Sequence, residues 1–551
     1  MGRNFRLRIL LVFVDDESNL ATLQELNKIA FACDFTLILA WSNAECARYL
    51  ETFKAYEGKS ATAIQEKVET EFLPKLTSVL TNIRSVNKTD VVTLDAQLLG
   101  EVAQRSTQLQ QLGARRIALA LDNGIDWVLW DLAALHAGLV CVPVPGFFSS
   151  SQQTHVLDSA GIDCLISAQP HAGFAQAAPG VHLRSVVQAA DLHAGTCKIT
   201  YTSGTTGQPK GVCLDIATQL AVAHSLVQAS TSCKVERHLC VLPLATLLEN
   251  IAGVYAPLLA GAPIELMPMA QIGLLGASQF DLPRFLGALA QAQPNSLILL
   301  PQLLLALVSA AERGLPVPNS LRFIAVGGGR VASQLLQRAD ALGLPVFEGY
   351  GLSECASVVC LNTPENRRIG TVGKPLPHLQ VRLGTDGEVE VKGPRLLGYL
   401  GEPSTTEEWL GTGDLGHFDG KYLVLHGRKK HQFITAYGRN VNPEWVEAEL
   451  VQQLPIAQAW LHGEALPGNV AVLVPRFPTT SDSQLAEAVA AANQALPDYA
   501  RVHHWLRADQ PFSSTNELAT SNGRLRRNAL LNHYQSAIAQ LMASESCYGD
   551  A

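Results

Sequence analysis

Long apolar runs are missing from this 551-residue chain, and so are clustered cysteines. The richest apolar stretch, Ser296 to Ala311 (SLILLPQLLLALVSAA), is interrupted by Pro301 and Gln302. It falls short of the roughly 20 residues that cross a bilayer, so no helical span is expected there. Eleven cysteines are scattered without a CxxC pair or a Cys/His cluster at zinc spacing, which argues against a disulfide framework or a zinc finger. They read as reduced thiols buried as small hydrophobes, and they place the chain in the cytoplasm. Charge is scarce too, at 16% against 47% hydrophobic residues, which is the balance of a globular chain with a core to fill. A formal net charge of −8 excludes nucleic-acid binding by bulk attraction alone. The amino-terminal apolar stretch is expected to be a buried strand and not a leader peptide. In MGRNFRLRILLVFVDD the apolar run meets Asp15 and Asp16 with no small-residue cleavage site, and Arg6 breaks a myristoylation pattern.

What is present is organised in blocks. The length calls for roughly two to four domains. Leu7 to Val14 and Phe35 to Trp41 read as strands; Ala21 to Cys33, Cys46 to Tyr56 and Ala61 to about Val86 read as helices. Two strands make too small a sheet, so this block reads as part of a domain. From Leu94 the texture becomes rich in Ala, Gly and Leu. Strand–helix units such as RRIALALDNG and GLVCVPVPGF repeat to about His426, predicting an α/β domain with a mostly parallel sheet. After Gly427, charged helices and short strands such as Asn469 to Val474 predict a smaller α+β domain. There is no internal repeat.

The most informative string is KITYTSGTTGQPKGV, Lys198 to Val212. A strand enters a loop of Gly, Ser and Thr that ends in Pro-Lys-Gly. Glycines allow a phosphate close to the backbone and turn N–H groups toward it. Ser203, Thr205 and Thr206 add hydroxyls and Lys210 a positive charge. The spacing is not that of a Walker loop, because the lysine follows the second glycine by three residues.

This string resembles the phosphate-loop signature of the ANL superfamily of adenylate-forming enzymes, and the resemblance continues in order along the chain. It implies a large ANL-type α/β domain at 94–427 and a small, mobile α+β domain at 428–545. It also implies ATP, Mg²⁺ and coenzyme A as cofactors or cosubstrates. Thr202, Ser203, Gly204, Thr205, Thr206 and Gly207, with Lys210, correspond to the phosphate loop. Gly327, Gly328 and Gly329 after FIAV correspond to an adenine-side loop. In GYGLSE, Tyr350 corresponds to the adenine-stacking aromatic, Gly351 and Ser353 to nucleotide contacts, and Glu354 to the Mg²⁺ ligand. Asp414 of TGD corresponds to the ribose contact, Arg428 of GRKK to a ribose- and phosphate-side arginine, and Lys430 to the hinge. The string ITAYGRNVNPEWVE is similar to the long-chain acyl-CoA synthetase branch.

Two positions depart from the pattern. Arg524, in SNGRLRR, stands where the family carries a catalytic lysine. It keeps the charge but changes its shape. Thr246, in LPLATLLEN, stands where the long-chain branch has a histidine or an aromatic, and Glu249 follows at an acidic position. The apolar region from Leu242 to Ala310 favours an aliphatic or aromatic acid over an amino acid. The expected function is therefore ATP-dependent formation of an acyl-adenylate from a fatty or aryl acid, then transfer to coenzyme A. A carrier-protein acceptor is the alternative.

Residues 5 to about 91 resemble a different family, the central domain of the ERCC-one (Rad-ten) repair-nuclease subunit, through FRLRILLVFVDD, CDFTLILAWSNAECARYLETFKAYEGK and IRSVNKTD. The segment, at 1–93, implies a partial nuclease-like α/β fragment without the ERKxxxD catalytic string. The resemblance implies a repair-scaffold peptide as partner at Tyr49 and Tyr56, and the nucleus as a second location. Through Asp90 there are 11 Lys and Arg against 12 Asp and Glu, so no autonomous nucleic-acid binding is expected. A third function follows from this segment: a scaffold-binding module with a catalytically silent carboxy-terminal half.

Overall fold

The computed structural model describes residues 10–11, 38–39, 90–93, 95–187, 189–202, 209–275, 279–404, 407–520 and 523–546. In the amino-terminal block, Leu10–Leu11 pairs in parallel with Ile38–Leu39, within the two strands read from the sequence. The helices expected between and after them lie outside the described residues, as do Tyr49 and Tyr56.

The first helix of the large domain is capped and spans Ala96–Gln111. The Asp95 carboxylate accepts from the Leu98 N–H at 2.8 Å, satisfying a donor that the first turn leaves free. Leu98, Val102, Ser106 and Leu109 recur at helical spacing and are the buried face. Two eight-stranded sheets follow. The first has a parallel centre, Arg116–Ala120 between Val140–Pro143 and Cys164–Ser167. Val140–Pro143 is next to Lys198–Thr202, which turns back antiparallel into Lys210–Leu214. The second is parallel through Ser296–Leu299, Phe323–Val326 and Val346–Tyr350. Runs such as CLIS and SLIL are buried along their whole length, as expected of strands covered on both faces.

The edge of the second sheet is closed by Asp90–Val92, antiparallel to Ile264–Leu266, with Val92 1% exposed. Asp90–Val92, expected to end the amino-terminal fragment at 1–93, is instead a strand of the large domain's sheet. The apolar excess of Leu242 to Ala310 is accounted for by a core: Leu242, Phe285, Leu289, Leu304 and Val308 pack together between the second sheet and its helices. It therefore carries less information about the acid than its sequence suggests.

A four-stranded antiparallel sheet, Gln380–Leu383 to Tyr422–Arg428, leads to the carboxy-terminal domain. There, strands Ile456–His462, Asn469–Pro475 and Val502–Arg507 carry helices Pro443–Val451, Asp482–Gln494 and Arg527–Ser546. Arg527 grips Glu447 with two hydrogen bonds of 2.9 and 2.7 Å, tying two of these helices together. Arg330 of the large domain donates to the carbonyls of Leu425 and His426 and lies 5.9 Å from the Trp445 ring centroid. Among the described residues no helix is long and apolar enough to cross a membrane.

Candidate active site

The phosphate loop is the turn of a hairpin. Thr202 stands opposite Lys210 in the antiparallel register, so a strand fixes each end of the loop. Ser203, Gly204, Thr205, Thr206 and Gly207 lie outside the described residues. Lys210 is exposed, and its ammonium meets Glu402 at 3.0 Å and lies 5.3 Å from the Tyr399 ring centroid.

Strands Phe323–Val326 and Val346–Tyr350 are parallel neighbours and end on the same side, bringing Gly327 to Gly329 beside the GYGLSE turn. A side chain on Gly327 would sit 3.2 Å from the Gly349 carbonyl oxygen, and Gly328 takes φ +77°. A methyl on Gly351 would overlap the Ser357 carbonyl oxygen, so only glycine permits this close chain crossing. Ser353 and Glu354 lie on the single helical turn Ser353–Cys355. Ala356 and Ser357 follow with φ 49° and 97°. Non-glycine residues in that region store strain, a feature that clusters at functional sites.

Asp414 and Arg428 are register partners across the hairpin of Leu410–Asp419 and Tyr422–Arg428. Arg428 Nε is 2.9 Å from Asp414 Oδ1, and the Tyr350 hydroxyl donates to Asp414 Oδ2 at 2.6 Å. Burial raises the Asp414 pKa above the usual carboxylate range, although Arg428 and the Tyr350 hydrogen bond oppose it. Burial and the adjacent Asp414 push the Tyr350 phenol well up. Asp414 therefore holds one cationic and one neutral donor in a site only 6% exposed. Gly427, at φ +132°, is packed so tightly on Asn442 that a side chain would overlap that amide. This contact brings the GRKK turn against the carboxy-terminal domain.

Lys430 lies in the short helical turn Lys429–His431. Its pKa is lowered by burial, then by Arg428 and Arg524. Arg524 follows a tight turn in which Thr520 and Arg524 exchange hydrogen bonds: the Thr520 N–H donates to the Arg524 carbonyl at 2.7 Å, and the Arg524 N–H to Thr520 Oγ1 at 3.0 Å. The residue as a whole is exposed. Its guanidinium end loses water, feels the like charge of Arg428, and is drawn to Glu444, Glu354 and Asp414. The structure thus brings Glu354, Asp414, Arg428, Lys430 and Arg524 into one electrostatic neighbourhood, from two domains. Thr246 does not present a free hydroxyl, because Oγ1 donates to the Pro243 carbonyl at 2.6 Å.

Several neighbouring contacts could not be read from the motifs. Tyr399 donates to Glu354 Oε1 at 2.8 Å. Lys198 is 2% exposed and ion-paired with Asp131 at 2.9 Å, and it donates to Tyr255 at 2.9 Å and to Asn250. Asn250 and Tyr255 belong to the π-helical turn Glu249–Tyr255. Glu249 itself accepts from the Leu242 N–H at 3.0 Å and contacts His238 at 3.3 Å. Partners separated by tens of residues leave no local spacing to read.

Residues 96–400 match the AMP-binding enzyme family, and residues 430–546 match the AMP-binding enzyme C-terminal domain. Residues 1–60 match the binding domain of DNA repair protein Ercc1 (rad10/Swi10). The chain is 27% identical over 397 residues to a 2-succinylbenzoate–CoA ligase of Bacillus mycoides, covering 66% of this chain and 78% of that protein. It is 28% identical over 403 residues to the Bacillus cereus protein of the same name, covering 67% and 79%. Its fold is similar to O-succinylbenzoate coenzyme A synthetase from Bacillus subtilis in complex with AMP, with TM-score 0.62 and 23% identity over 79% of this chain and 92% of that one. It is also similar to an anthranilate CoA ligase in complex with anthranoyl-AMP, with TM-score 0.66 and 18% identity over 80% and 92%. With the first of these matches running over more than half of its length, the chain belongs to the AMP-binding enzyme family.

Proposed function

We propose that this chain joins a carboxylic acid to coenzyme A at the expense of ATP. The acid's carboxylate attacks the α-phosphorus and expels pyrophosphate. The coenzyme A thiol then attacks the acyl carbon of the adenylate and releases AMP. The observation that carries this reading is the convergence of Glu354 and Asp414 of the large domain with Arg428, at the junction of the two domains, and with Lys430 and Arg524 of the carboxy-terminal one.

In this reading Lys210 and the loop after Thr202 bind the triphosphate, Tyr350 and the Gly327–Gly329 turn face adenine, and Asp414 accepts from the ribose hydroxyls. Arg524 bridges the substrate carboxylate and the α-phosphate, with preplaced positive charge where negative charge gathers. Glu354 fits Mg²⁺, because one carboxylate plus phosphate oxygens is a usual set for that ion. When bound, Mg²⁺ neutralises phosphate charge. Lys430 is the pivot about which the small domain turns between the two half-reactions.

For the acid we favour an aryl carboxylate, with a fatty acid next, because the matched relatives are named for 2-succinylbenzoate. The cytoplasm, which holds both ATP and coenzyme A, is the compartment we assign. The test is carboxylate-dependent pyrophosphate release from Mg·ATP, with 2-succinylbenzoate, anthranilate, benzoate and a fatty-acid series, with and without coenzyme A. Release accelerated by coenzyme A is expected. Release indifferent to it would transfer the reading to a carrier-protein acceptor, and no release with any acid would overturn it.

A further inference from the structure

The segment 396–402 touches both charged ends of the candidate site. Gly398–Tyr399 pairs antiparallel with Lys210–Leu214, Tyr399 opposite Val212, and the Leu400 N–H donates to the Gly211 carbonyl at 2.8 Å. On its other side the Tyr399 carbonyl contacts His193 Nε2 at 3.0 Å, whose Nδ1 lies 2.9 Å from Ser404 Oγ. The backbone of Tyr399 is therefore held from both sides.

Its side chain reaches Glu354. The hydroxyl donates to Oε1 at 2.8 Å, while the Glu354 carbonyl accepts from the Leu396 N–H at 2.6 Å. Glu354 is gripped at its backbone and at one carboxylate oxygen. The same ring lies under the Lys210 ammonium, and Glu402, three residues on, binds that ammonium at 3.0 Å. The Lys210–Glu402 pair is about half exposed on each side, 54% and 48%. Such pairs contribute little stability, so an incoming polyanion displaces Glu402 at small cost.

We propose that Tyr399 is a positioning residue that fixes the Glu354 carboxylate for the metal–nucleotide, and that Glu402 is the internal anion exchanged for the triphosphate at Lys210. The proposal rests on the nucleotide reading of the site. A neutral hydroxyl on one oxygen stops the carboxylate from rotating without cancelling its charge, and it leaves Oε2 for a hard cation.

The experiment is calorimetric binding of a non-hydrolysable ATP analogue to the full chain across a Mg²⁺ series, with melting temperatures recorded for each variant. Tyr399→Phe keeps the ring under Lys210 and loses only the hydrogen bond. The Mg²⁺ concentration for half-maximal nucleotide affinity should rise about fivefold to tenfold, the net worth of one typical hydrogen bond. Binding without Mg²⁺ should stay within about twofold. Glu402→Gln should do the reverse, tightening metal-free binding about threefold with the Mg²⁺ requirement unmoved. Equal loss by Tyr399→Phe with and without Mg²⁺ would mark a merely structural tyrosine and overturn the proposal. So would an unchanged Mg²⁺ dependence, or wild-type binding indifferent to Mg²⁺. Because no acid enters the assay, Mg²⁺-dependent binding without acid-dependent pyrophosphate release would sink the ligase reading and leave this one standing.

Discussion

Glu348 lies two residues before Tyr350 on the strand Val346–Tyr350 and is only 8% exposed. Burial raises its pKa from 4.5 to about 8, against the attraction of Arg330. The unfolded chain ionises this carboxyl in its ordinary range while the folded chain keeps it protonated. Folding therefore takes up a proton, and stability falls as pH rises from about 4.5 to about 8, then levels. Glu348→Gln removes the titration but keeps the shape. Its melting temperature should match wild type near pH 5 and gain on it up to pH 8; parallel curves across that range would refute the burial argument. Residues of this kind separate what the sequence discloses from what it hides. Tyr350, Glu354, Asp414 and Arg428 could be singled out only because their short strings resemble a family pattern in order; none of the strings specifies a role alone. Glu348 in VFEGY reads as a polar strand face, and only Arg330, from another turn, reveals its surroundings.

At the scale of elements, the hairpin that carries Lys210 is visible in the sequence as strand, glycine-rich turn and strand. Its anchor is not. Lys198 begins the first strand and joins Asp131 of helix Ile125–His136 to Asn250 and Tyr255 of the π-helical turn. Turns of the π type recur at functional sites, and this one ties the phosphate hairpin to the Leu242–Leu248 segment. Lys198→Met leaves Asp131 as a buried, unpaired charge and should cost about 3–5 kcal/mol in chemical denaturation. The double change Lys198→Met/Asp131→Leu should recover most of that loss. If the double variant is as unstable as the single, the charge pair is not the cause. A lysine in a KITYT strand carries no mark of burial, since its partners stand 67, 52 and 57 positions away. The parallel centres of the two sheets were legible in apolar strands such as FIAV, but their flanks were not: seven of the fourteen pairings in these sheets are antiparallel, against the mostly parallel sheet expected. The π-helical turn was not legible either, because its spacing mimics an ordinary helix.

For the whole molecule, Arg524 shares an electrostatic neighbourhood with Glu354 and Asp414, as the bridging role proposed for it requires. Arg524→Ala should lower acid-dependent pyrophosphate release by about 100-fold, typical of losing one charge-stabilising group. Thioester formation from supplied acyl-adenylate should persist, and equal loss in both steps would refute the assignment. The join between the amino-terminal block and the large domain gives a second test. A chain starting at Asp90 keeps the strand that pairs with Ile264–Leu266, whereas one starting at Leu94 loses it together with buried Val92. The second should be less stable by about 2 kcal/mol, roughly the burial of one valine, and identical denaturation midpoints would contradict this. That strand has a further consequence. Without it, Ile264–Leu266, buried along its whole length, would face water with open N–H and C=O groups. Such an edge is a template for another chain. Asp90–Val92 is thus a plug over that edge, and proteolysis just beyond Val92 would open the sheet to pairing with other chains.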